Sequence, residues 1–291
     1  MSIPDLLHLM RCHDGAAPAL ALLDGLDERY RWSYGRLLHA ALGFRRVLEA
    51  CGVGAGSAVC VIAGNSPQFV ALFLACVDLG AAFAPLHRDQ SAAAIDGILG
   101  DLNATLVIVD EDVQGAMLRK VLNATDRVWR LRLKRTPWLR PVLSGMSHKQ
   151  THAAGTCTAT SAAARELPPA VLAADRPQTR AASEIGATAD EAAPVLILHS
   201  SGSTGAPKVI QYSRARLNIF LHWQRRLFEA FPDLPEACAP SPRVNALPMA
   251  HFGGLSFVLQ ALLDGRLVYL PRAIAPRDYL VLALHEGCQL L

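Results

Sequence analysis

The stretch Val195–Tyr212, VLILHSSGSTGAPKVIQY, decides the interpretation of the chain, because an apolar run leads directly into a loop of small and hydroxylated residues. Gly202 and Gly205 let the backbone adopt positive φ and approach a ligand closely, so successive N–H groups can surround an anion. Lys208 adds a point charge suited to a phosphate. Further hydroxyl donors come from Ser200, Ser201, Ser203 and Thr204. The loop therefore predicts a binding site for a polyphosphate.

Other kinds of Gly-rich loop fit this stretch less well. In the phosphate loop of kinases and GTPases a Gly precedes the Lys and a Ser or Thr follows it, whereas Pro207 and Val209 flank Lys208 here. The G-x-S-x-G turn that exposes a nucleophilic serine does not fit around Ser201 or Ser203. A plain flexible Gly/Ser turn between two strands stays open as the alternative.

Strand and helix patterns alternate on both sides of this loop, which favours a layered α/β fold built from βαβ units. Ala58–Ala63 predicts a strand, and Ser66 with Pro67 predicts the start of a helix that ends at Gly80. Further strands are expected at 81–86, 105–110, 194–200, 243–248 and 266–271. Further helices are expected at 34–48, 92–99, 113–122, 217–228 and 255–263, with a helix-like segment at 273–291.

The chain is predicted to divide into three parts. Residues 1–143 form a first α/β subdomain, and residues 194–291 form the first part of a second one that carries the phosphate loop. Between them, residues 144–193 are rich in Ala, Thr, Ser and Pro, contain no aromatic residue and show no sustained periodicity. This texture predicts a mobile insertion or linker.

Composition excludes several classes of protein. Hydrophobic residues make up 52% of the 291 positions and charged residues 18%, so the chain can bury a core and is not disordered as a whole. The longest apolar stretch, Val70–Leu86, is interrupted by Asp78, Gly80 and Pro85, so we expect no membrane span. No cationic leader precedes the first apolar run, and the seven cysteines form no CxxC pair. These features are typical of a reduced, cytoplasmic protein.

Two weaker patterns were weighed as a nucleic-acid or membrane patch and as a metal site. The net charge is only +3, and the basic run Arg127–Arg140 carries two Trp residues, which could suggest a nucleic-acid or membrane patch. Its cations alternate with Leu131 and Leu133, however, as in a half-buried strand, so we expect no nucleic-acid partner. His148, His152 and Cys157 lack a fourth ligand and a scaffold, so we predict no metal site.

The string SSGSTGAPK resembles the phosphate-binding signature of the adenylate-forming (AMP-binding) enzymes, which include acyl-CoA synthetases, luciferases and the adenylation domains of nonribosomal peptide synthetases. Three further segments resemble the same family in the same order and spacing: WSYGRLL at 32–38, NSPQFVALFLACVDLGAAFAPL at 65–86 and LPMAHFGGL at 247–255. The string HSSGSTGAPKVI looks closest to the adenylation domains of fungal reductase-type synthetases. The resemblance covers nearly all of the chain outside 144–193 and implies the α/β amino-terminal domain of that family.

The resemblance also implies roles for individual residues. In such enzymes the loop wraps the β- and γ-phosphates of ATP while a carboxylate attacks the α-phosphorus and pyrophosphate leaves. The implied ATP phosphate-binding residues are Ser200, Ser201, Gly202, Ser203, Thr204, Gly205 and Lys208. The implied substrate-pocket residues are His251, Phe252, Gly253 and Gly254, with the glycines leaving room for a substrate. The implied cofactors are ATP and Mg²⁺, and the implied partners are a carboxylic acid and either coenzyme A or a carrier-protein thiol.

The chain also departs from the family pattern. Val209 stands where the family usually has Gly, which stiffens the end of the loop. Beyond Leu291 the family continues with an adenine-stacking aromatic, a Thr-Glu pair, a ribose-binding Asp, a hinge and a small domain with a catalytic Lys. We therefore expect the amino-terminal part of an ATP-dependent synthetase, truncated at the carboxy end, with no catalytic residue of its own. The alternative is a non-catalytic truncated module that binds an acyl ligand or a partner.

Overall fold

A computed structural model describes residues 6–87, 90, 92–125, 128–131, 139–141, 190–200, 208–231, 241–272, 275–285 and 288. The strands in these ranges are β1 (Pro18–Asp24), β2 (Asp27–Ser33), β3 (Ala58–Ile62), β4 (Ala82–Leu86), β5 (Leu106–Asp110), β6 (Val128–Leu131), β7 (Leu139–Pro141), β8 (Pro194–Ser200), β9 (Lys208–Ser213), β10 (Arg243–Val244) and β11 (Val268–Pro271). The helices are α1 (Leu6–Arg11), α2 (Tyr34–Ala50), α3 (Pro67–Leu79), α4 (Ala92–Leu102), α5 (Gly115–Ala124), α6 (Arg214–Ala230), α7 (Phe252–Leu263) and α8 (Pro276–His285).

The larger of two sheets contains seven strands in the order β7-β6-β5-β3-β4-β8-β9. Strands β6, β5, β3, β4 and β8 run parallel, and the edge strands β7 and β9 pair antiparallel with their neighbours. The smaller sheet has the order β10-β11-β1-β2, in which only β2 runs antiparallel to its neighbour. The α/β fold predicted from the βαβ rhythm is therefore confirmed.

Helices cover both faces of the larger sheet. On one face, α2, α3 and α7 belong to the main hydrophobic core, together with Val59 and Val61 of β3. On the other face, α4 and α5 pack against Cys60 and Ile62 of the same strand in a second cluster. The two clusters alternate along β3 because successive side chains of a strand point to opposite faces. Such a sheet, buried on both sides, explains the nearly continuous apolar strands of the sequence.

Helix α3 is the central helix of the structure, since every residue from Pro67 to Val77 is buried. Its start is set by Ser66, whose hydroxyl accepts a hydrogen bond from the Phe69 N–H at 3.2 Å, with Pro67 in the first helical turn. Its end is set by Gly80, which adopts a left-handed conformation with φ of 67°. The sequence-based prediction of this helix and both of its ends is confirmed.

The two sheets do not follow the predicted division of the chain at residues 143 and 194. Strands β8 and β9 extend the sheet that contains β3–β7, and β10 and β11 join the sheet that begins with β1. Each sheet therefore combines strands from both sides of the 144–193 segment. The predicted mobility of that segment concerns residues that, up to 189, lie outside the described ranges.

In the described ranges, no helix combines the length and apolar character required to cross a bilayer.

Candidate functional site

The carboxyl edge of the larger sheet is the candidate functional site. Strands β3, β4, β5 and β8 are parallel, so the segments that follow them emerge at one edge. In open α/β sheets, ligands bind at this edge, near the point where the connecting helices change from one face to the other. That change occurs here, because α3 after β3 packs on one face while α4 and α5 pack on the opposite face.

The predicted phosphate loop connects β8 to β9 at this edge. Ser200 at the end of β8 pairs with Lys208 at the start of β9, so the intervening residues 201–207 are closed at their base by antiparallel pairing. The side chain of Lys208 is exposed. Five of the predicted phosphate-binding residues lie outside the described ranges, namely Ser201, Gly202, Ser203, Thr204 and Gly205. The structure therefore places both ends of the loop at the candidate site, and the phosphate contacts stay a prediction.

His251 lies next to the end of β4. It is the N-cap residue of α7 and is exposed, and its ring stacks on the ring of His87 with centroids 5.6 Å apart and planes inclined by 20°. His87 directly follows β4. Phe83 of β4 pairs with Leu196 of the parallel strand β8, and His87 and Ser200 each come four residues later, so they lie at the same end of the sheet. The predicted substrate residue and the base of the phosphate loop are thus at one edge.

Phe252 links the first turn of α7 to β9 and α6. Its ring stacks on Tyr212 of β9 with centroids 4.5 Å apart and planes inclined by only 5°. The ring of Phe220, on α6, meets Phe252 edge to face at 4.8 Å. Stacked and edge-to-face aromatic pairs add about 0.5–1.5 kcal/mol each beyond their buried area. This aromatic group therefore fixes the start of α7 against the strand that begins at Lys208.

The two predicted pocket glycines have different surroundings. A Cβ atom on Gly253 would meet open space, which agrees with the expected room for a substrate. A Cβ atom on Gly254 would lie 2.5 Å from the carbonyl oxygen of Pro248 and 2.8 Å from that of Leu247. The space at Gly254 is therefore filled by backbone. That these four residues line a substrate pocket stays a prediction.

Asn65 is a residue of this edge whose contacts were not predicted. It lies in the turn between β3 and α3, and its side-chain amide bonds to the segment that leads into α7. Nδ2 donates to the Leu247 carbonyl at 2.8 Å, and Oδ1 accepts from the Met249 N–H at 2.8 Å. In the sequence, Asn65 stands out only as the first residue of the family-like segment at 65–86. The available signal was its position, because a polar side chain directly after a buried parallel strand lies at the carboxyl edge.

Asp110 stabilises the neighbouring turns from the end of β5. Its buried carboxylate accepts hydrogen bonds from the backbone N–H groups of Gly64 at 2.8 Å and of Asp112 and Val113 at 3.1 Å each. Asp112 in turn forms an ion pair with Arg272, which follows β11. Asp110 therefore connects the β5 loop to the turn that carries Asn65, a scaffold role that the sequence pattern did not reveal.

Within the part of the chain that the structure describes, no three His, Cys, Asp or Glu side chains are grouped so that they could hold a metal ion. His148, His152 and Cys157 lie outside the described residues.

Comparisons with known proteins agree with this geometry. A family model described as AMP-binding enzyme matches residues 13–290. The chain is 27% identical over 240 residues to the carboxylic acid reductase of Mycobacterium marinum, a match that covers 81% of this chain and 19% of the reductase. It is 28% identical over 213 residues to the acetyl-coenzyme A synthetase of Coprinopsis cinerea, which covers 71% of this chain and 29% of that one. The chain thus spans only a small part of either relative.

The fold resembles that of solved structures as well. The O-succinylbenzoate coenzyme A synthetase of Bacillus subtilis, in complex with AMP, superposes with a TM-score of 0.66 at 17% identity. The superposition covers 98% of this chain and 60% of that chain. At this identity the likeness shows the fold alone, whereas the family model spans nearly the whole sequence. The protein therefore belongs to the AMP-binding enzyme family.

Proposed function

We propose that this chain carries the phosphate and acyl sites of an ATP-dependent, carboxylate-activating synthetase. In the proposed reaction, a carboxylate oxygen of the substrate forms a bond to the α-phosphorus of ATP, the bond from that phosphorus to the bridging oxygen breaks, and pyrophosphate leaves with the electron pair. The products are an acyl-adenylate and pyrophosphate. The observation that carries this proposal is the closure of the SSGSTGAPK loop by Ser200 and Lys208 at the edge where His87 and His251 stack.

The residues of the loop suit the transfer of a nucleotidyl group. A carboxylate is already nucleophilic, so the reaction depends on neutralising phosphate charge more than on acid or base catalysis. Lys208 would supply a positive charge, and the hydroxyl and N–H groups of 200–205 would donate to the β- and γ-phosphates. Mg²⁺, when bound with ATP, would neutralise phosphate oxygens and make pyrophosphate a better leaving group.

The acyl site is proposed to lie beside His251. Gly253 leaves open space there, and the stacked rings of Phe252 and Tyr212 form an apolar surface next to it. We propose a carboxylic acid as substrate and a thiol, of coenzyme A or of a carrier protein, as the acceptor of the acyl group. The cysteines of the described ranges are free thiols, which fits the reducing conditions of the cytoplasm, the proposed location.

ATP–pyrophosphate exchange tests this function. The assay uses purified protein from the whole reading frame that contains these 291 codons, a panel of carboxylic acids and labelled pyrophosphate. We expect exchange that depends on one class of acid, and loss of exchange in Lys208→Ala. Arg46→Ala, which removes an exposed cation on α2, is the matched control and should retain exchange. Nucleotide or acid binding without exchange for any acid would overturn the proposal and favour the non-catalytic module.

A further inference from the structure

The segment that leads into α7 departs from the smaller sheet and is held by a side chain. Only Arg243 and Val244 form strand pairs in β10, and the Asn245 N–H makes a last bond to the Tyr269 carbonyl at 2.9 Å. From there the backbone turns away, and Leu247 is 55% exposed. The next backbone groups, the Leu247 carbonyl and the Met249 N–H, are bonded by the side chain of Asn65. The Leu247 carbonyl also accepts a hydrogen bond from Nδ2 of Asn245, in the same segment, at 3.1 Å, so Asn65 is the side chain that ties the segment to β3.

The chemistry of these two bonds requires a side-chain carboxamide. A backbone carbonyl can only accept and a backbone N–H can only donate, so the partner must present a donor and an acceptor side by side. The amide of Asn65 does so at 2.8 Å to each atom. An aspartate retains the acceptor but places an anionic oxygen near the Leu247 carbonyl, and an alanine removes both groups.

The position of Leu247–Met249 determines the position of the proposed acyl site. The Pro248 carbonyl accepts a hydrogen bond from the His251 N–H at 3.1 Å and packs directly on Gly254. Met249, which is fully buried, lies two residues before His251. A shift of this short segment would therefore move His251 away from His87 and change the space at Gly253.

We infer that Asn65 is the positioning residue that fixes residues 247–254 at the carboxyl edge and thereby sets the affinity of the protein for its acyl substrate. This inference rests on the proposed function. Asn65 acts through Leu247 and Met249 and does not itself contact the reacting atoms. Because β3 and β8 are in the same sheet, Asn65 also sets the acyl site at a fixed distance from Ser200, where β8 ends.

The test compares Asn65→Ala and Asn65→Asp with a control, Asn123→Ala, which removes an exposed amide on α5. The protein of the whole reading frame is assayed for the KM of the acid and the KM of ATP in pyrophosphate exchange. We expect Asn65→Ala to raise the KM of the acid roughly tenfold, as the loss of two neutral hydrogen bonds allows, and to change the KM of ATP less than about twofold. Asn65→Asp keeps the acceptor for the Met249 N–H, so this variant should stay folded. It should also raise the KM of the acid more than the KM of ATP.

A second measurement is independent of activity. Hydrogen exchange, followed by mass spectrometry in the ligand-free protein, should be faster in both Asn65 variants for peptides within 245–254 and unchanged for β3. Equal increases of both KM values, an unchanged KM of the acid, or unchanged exchange in 245–254 would each overturn the inference. Failure of the wild-type protein to exchange pyrophosphate with any acid is seen before the variants are compared, and it overturns the proposed function instead.

Discussion

The backbone of Gly254 packs so closely on Pro248 that a Cβ atom at Gly254 would lie 2.5 Å from the Pro248 carbonyl oxygen. Real Cβ atoms do not approach a backbone oxygen to this distance, so Gly254→Ala must displace either α7 or the 247–248 segment. We expect a loss of about 1–3 kcal/mol in the free energy of unfolding, the usual cost of overpacking. Chemical denaturation measures this loss.

Gly253→Ala is the matched control for that prediction. The two glycines are adjacent in the first turn of α7, but the Cβ atom of the control meets open space. Because Ala is favoured over Gly in a helix, Gly253→Ala should leave stability unchanged or raise it by about 0.5–1 kcal/mol. Similar losses in the two variants would contradict the close packing at Gly254.

The other end of α7 depends on Tyr34. The buried hydroxyl of Tyr34 donates to the Leu262 carbonyl at 2.8 Å, and His13 Nε2 donates to the Leu263 carbonyl at 3.0 Å. Both carbonyls are in the last turn of the helix, where backbone acceptors lack the usual helical partner four residues on. The Leu262 carbonyl also accepts from the Gly265 N–H at 3.2 Å. Tyr34→Phe should reduce the free energy of unfolding by about 1–2 kcal/mol, since the Leu262 carbonyl loses a buried donor.

Tyr279→Phe is the control for Tyr34→Phe. Tyr279 of α8 is only half-buried, so losing its hydroxyl should cost less than losing the buried one of Tyr34. We expect its effect on stability to stay within about 0.5 kcal/mol. The same burial also raises the pKa of the Tyr34 hydroxyl above its ordinary value, which gives a second way to test this site. If spectroscopic titration showed Tyr34 ionising together with the half-buried Tyr212 and Tyr279, the buried hydrogen bond of Tyr34 would be wrong.

Local signals in the sequence predicted α3 completely, because its cap, its proline and its terminal glycine are neighbours in the chain. The strand expected at Arg243–Pro248 is wrong beyond Val244. The apolar pattern is real, but the Leu247 carbonyl accepts hydrogen bonds from two side chains, that of Asn245 and that of Asn65, which is 182 positions away. A single sequence does not reveal such a contact.

The hairpin β1–β2 was also not predicted. Its signals were present, since Asp24-Gly25 is a turn dipeptide and Tyr30 and Trp32 are the buried positions of an alternating strand. Its pairing with β11, which lies at the other end of the sequence, could not be read from local patterns. For the candidate site, the sequence identified Lys208 and His251 but not the residues that hold them in place.

The cysteines of the described ranges should differ in reactivity. Cys12 is exposed, whereas Cys60 and Cys76 are fully buried and burial raises the pKa of both thiols. Burial also raises the pKa of Cys51 to about 11. Because the thiolate is the reactive form, iodoacetamide at neutral pH should label Cys12 first and leave Cys60 and Cys76 unlabelled until the protein unfolds. Peptide mapping by mass spectrometry before and after adding urea distinguishes these classes.

The environment of His199 predicts how the free energy of unfolding depends on pH. It lies in β8, one residue before Ser200, and neither ring nitrogen has a hydrogen-bond partner among the described residues. Burial lowers the pKa of His199, and the negative charge of Asp101 opposes this shift. The unfolded chain, with an ordinary pKa of about 6.5, therefore binds a proton more tightly than the native state. The contribution of His199 to the free energy of unfolding is therefore fully present above about pH 6.5 and is lost as the pH falls.

The variant His199→Gln isolates this contribution. Free energies of unfolding are measured by urea denaturation between about pH 5 and pH 7.5, a range that spans the ordinary pKa of histidine. We expect a smaller decrease towards acid pH in His199→Gln than in the wild type. His8→Gln, which replaces an exposed histidine on α1, should retain the wild-type slope. Parallel curves for the wild type and His199→Gln would show that His199 does not contribute.

Lys208 tests the phosphate site by binding rather than by turnover. The residue begins β9, and its backbone pairs with Ser200 rather than with the loop. Replacing the side chain therefore leaves the pairing of the two strands intact. Lys208→Ala should weaken the binding of a non-hydrolysable ATP analogue roughly tenfold to a hundredfold, the range expected for the loss of one charge-assisted hydrogen bond of about 1.5–3 kcal/mol. Isothermal titration calorimetry measures the change, with Arg46→Ala as the charge-matched control.

The salt dependence of binding is a further test of Lys208. Because its contribution is electrostatic, the difference in affinity between the wild type and Lys208→Ala should shrink as the salt concentration is raised. Equal affinities of the two proteins at low salt would remove Lys208 from the site, even if pyrophosphate exchange persisted.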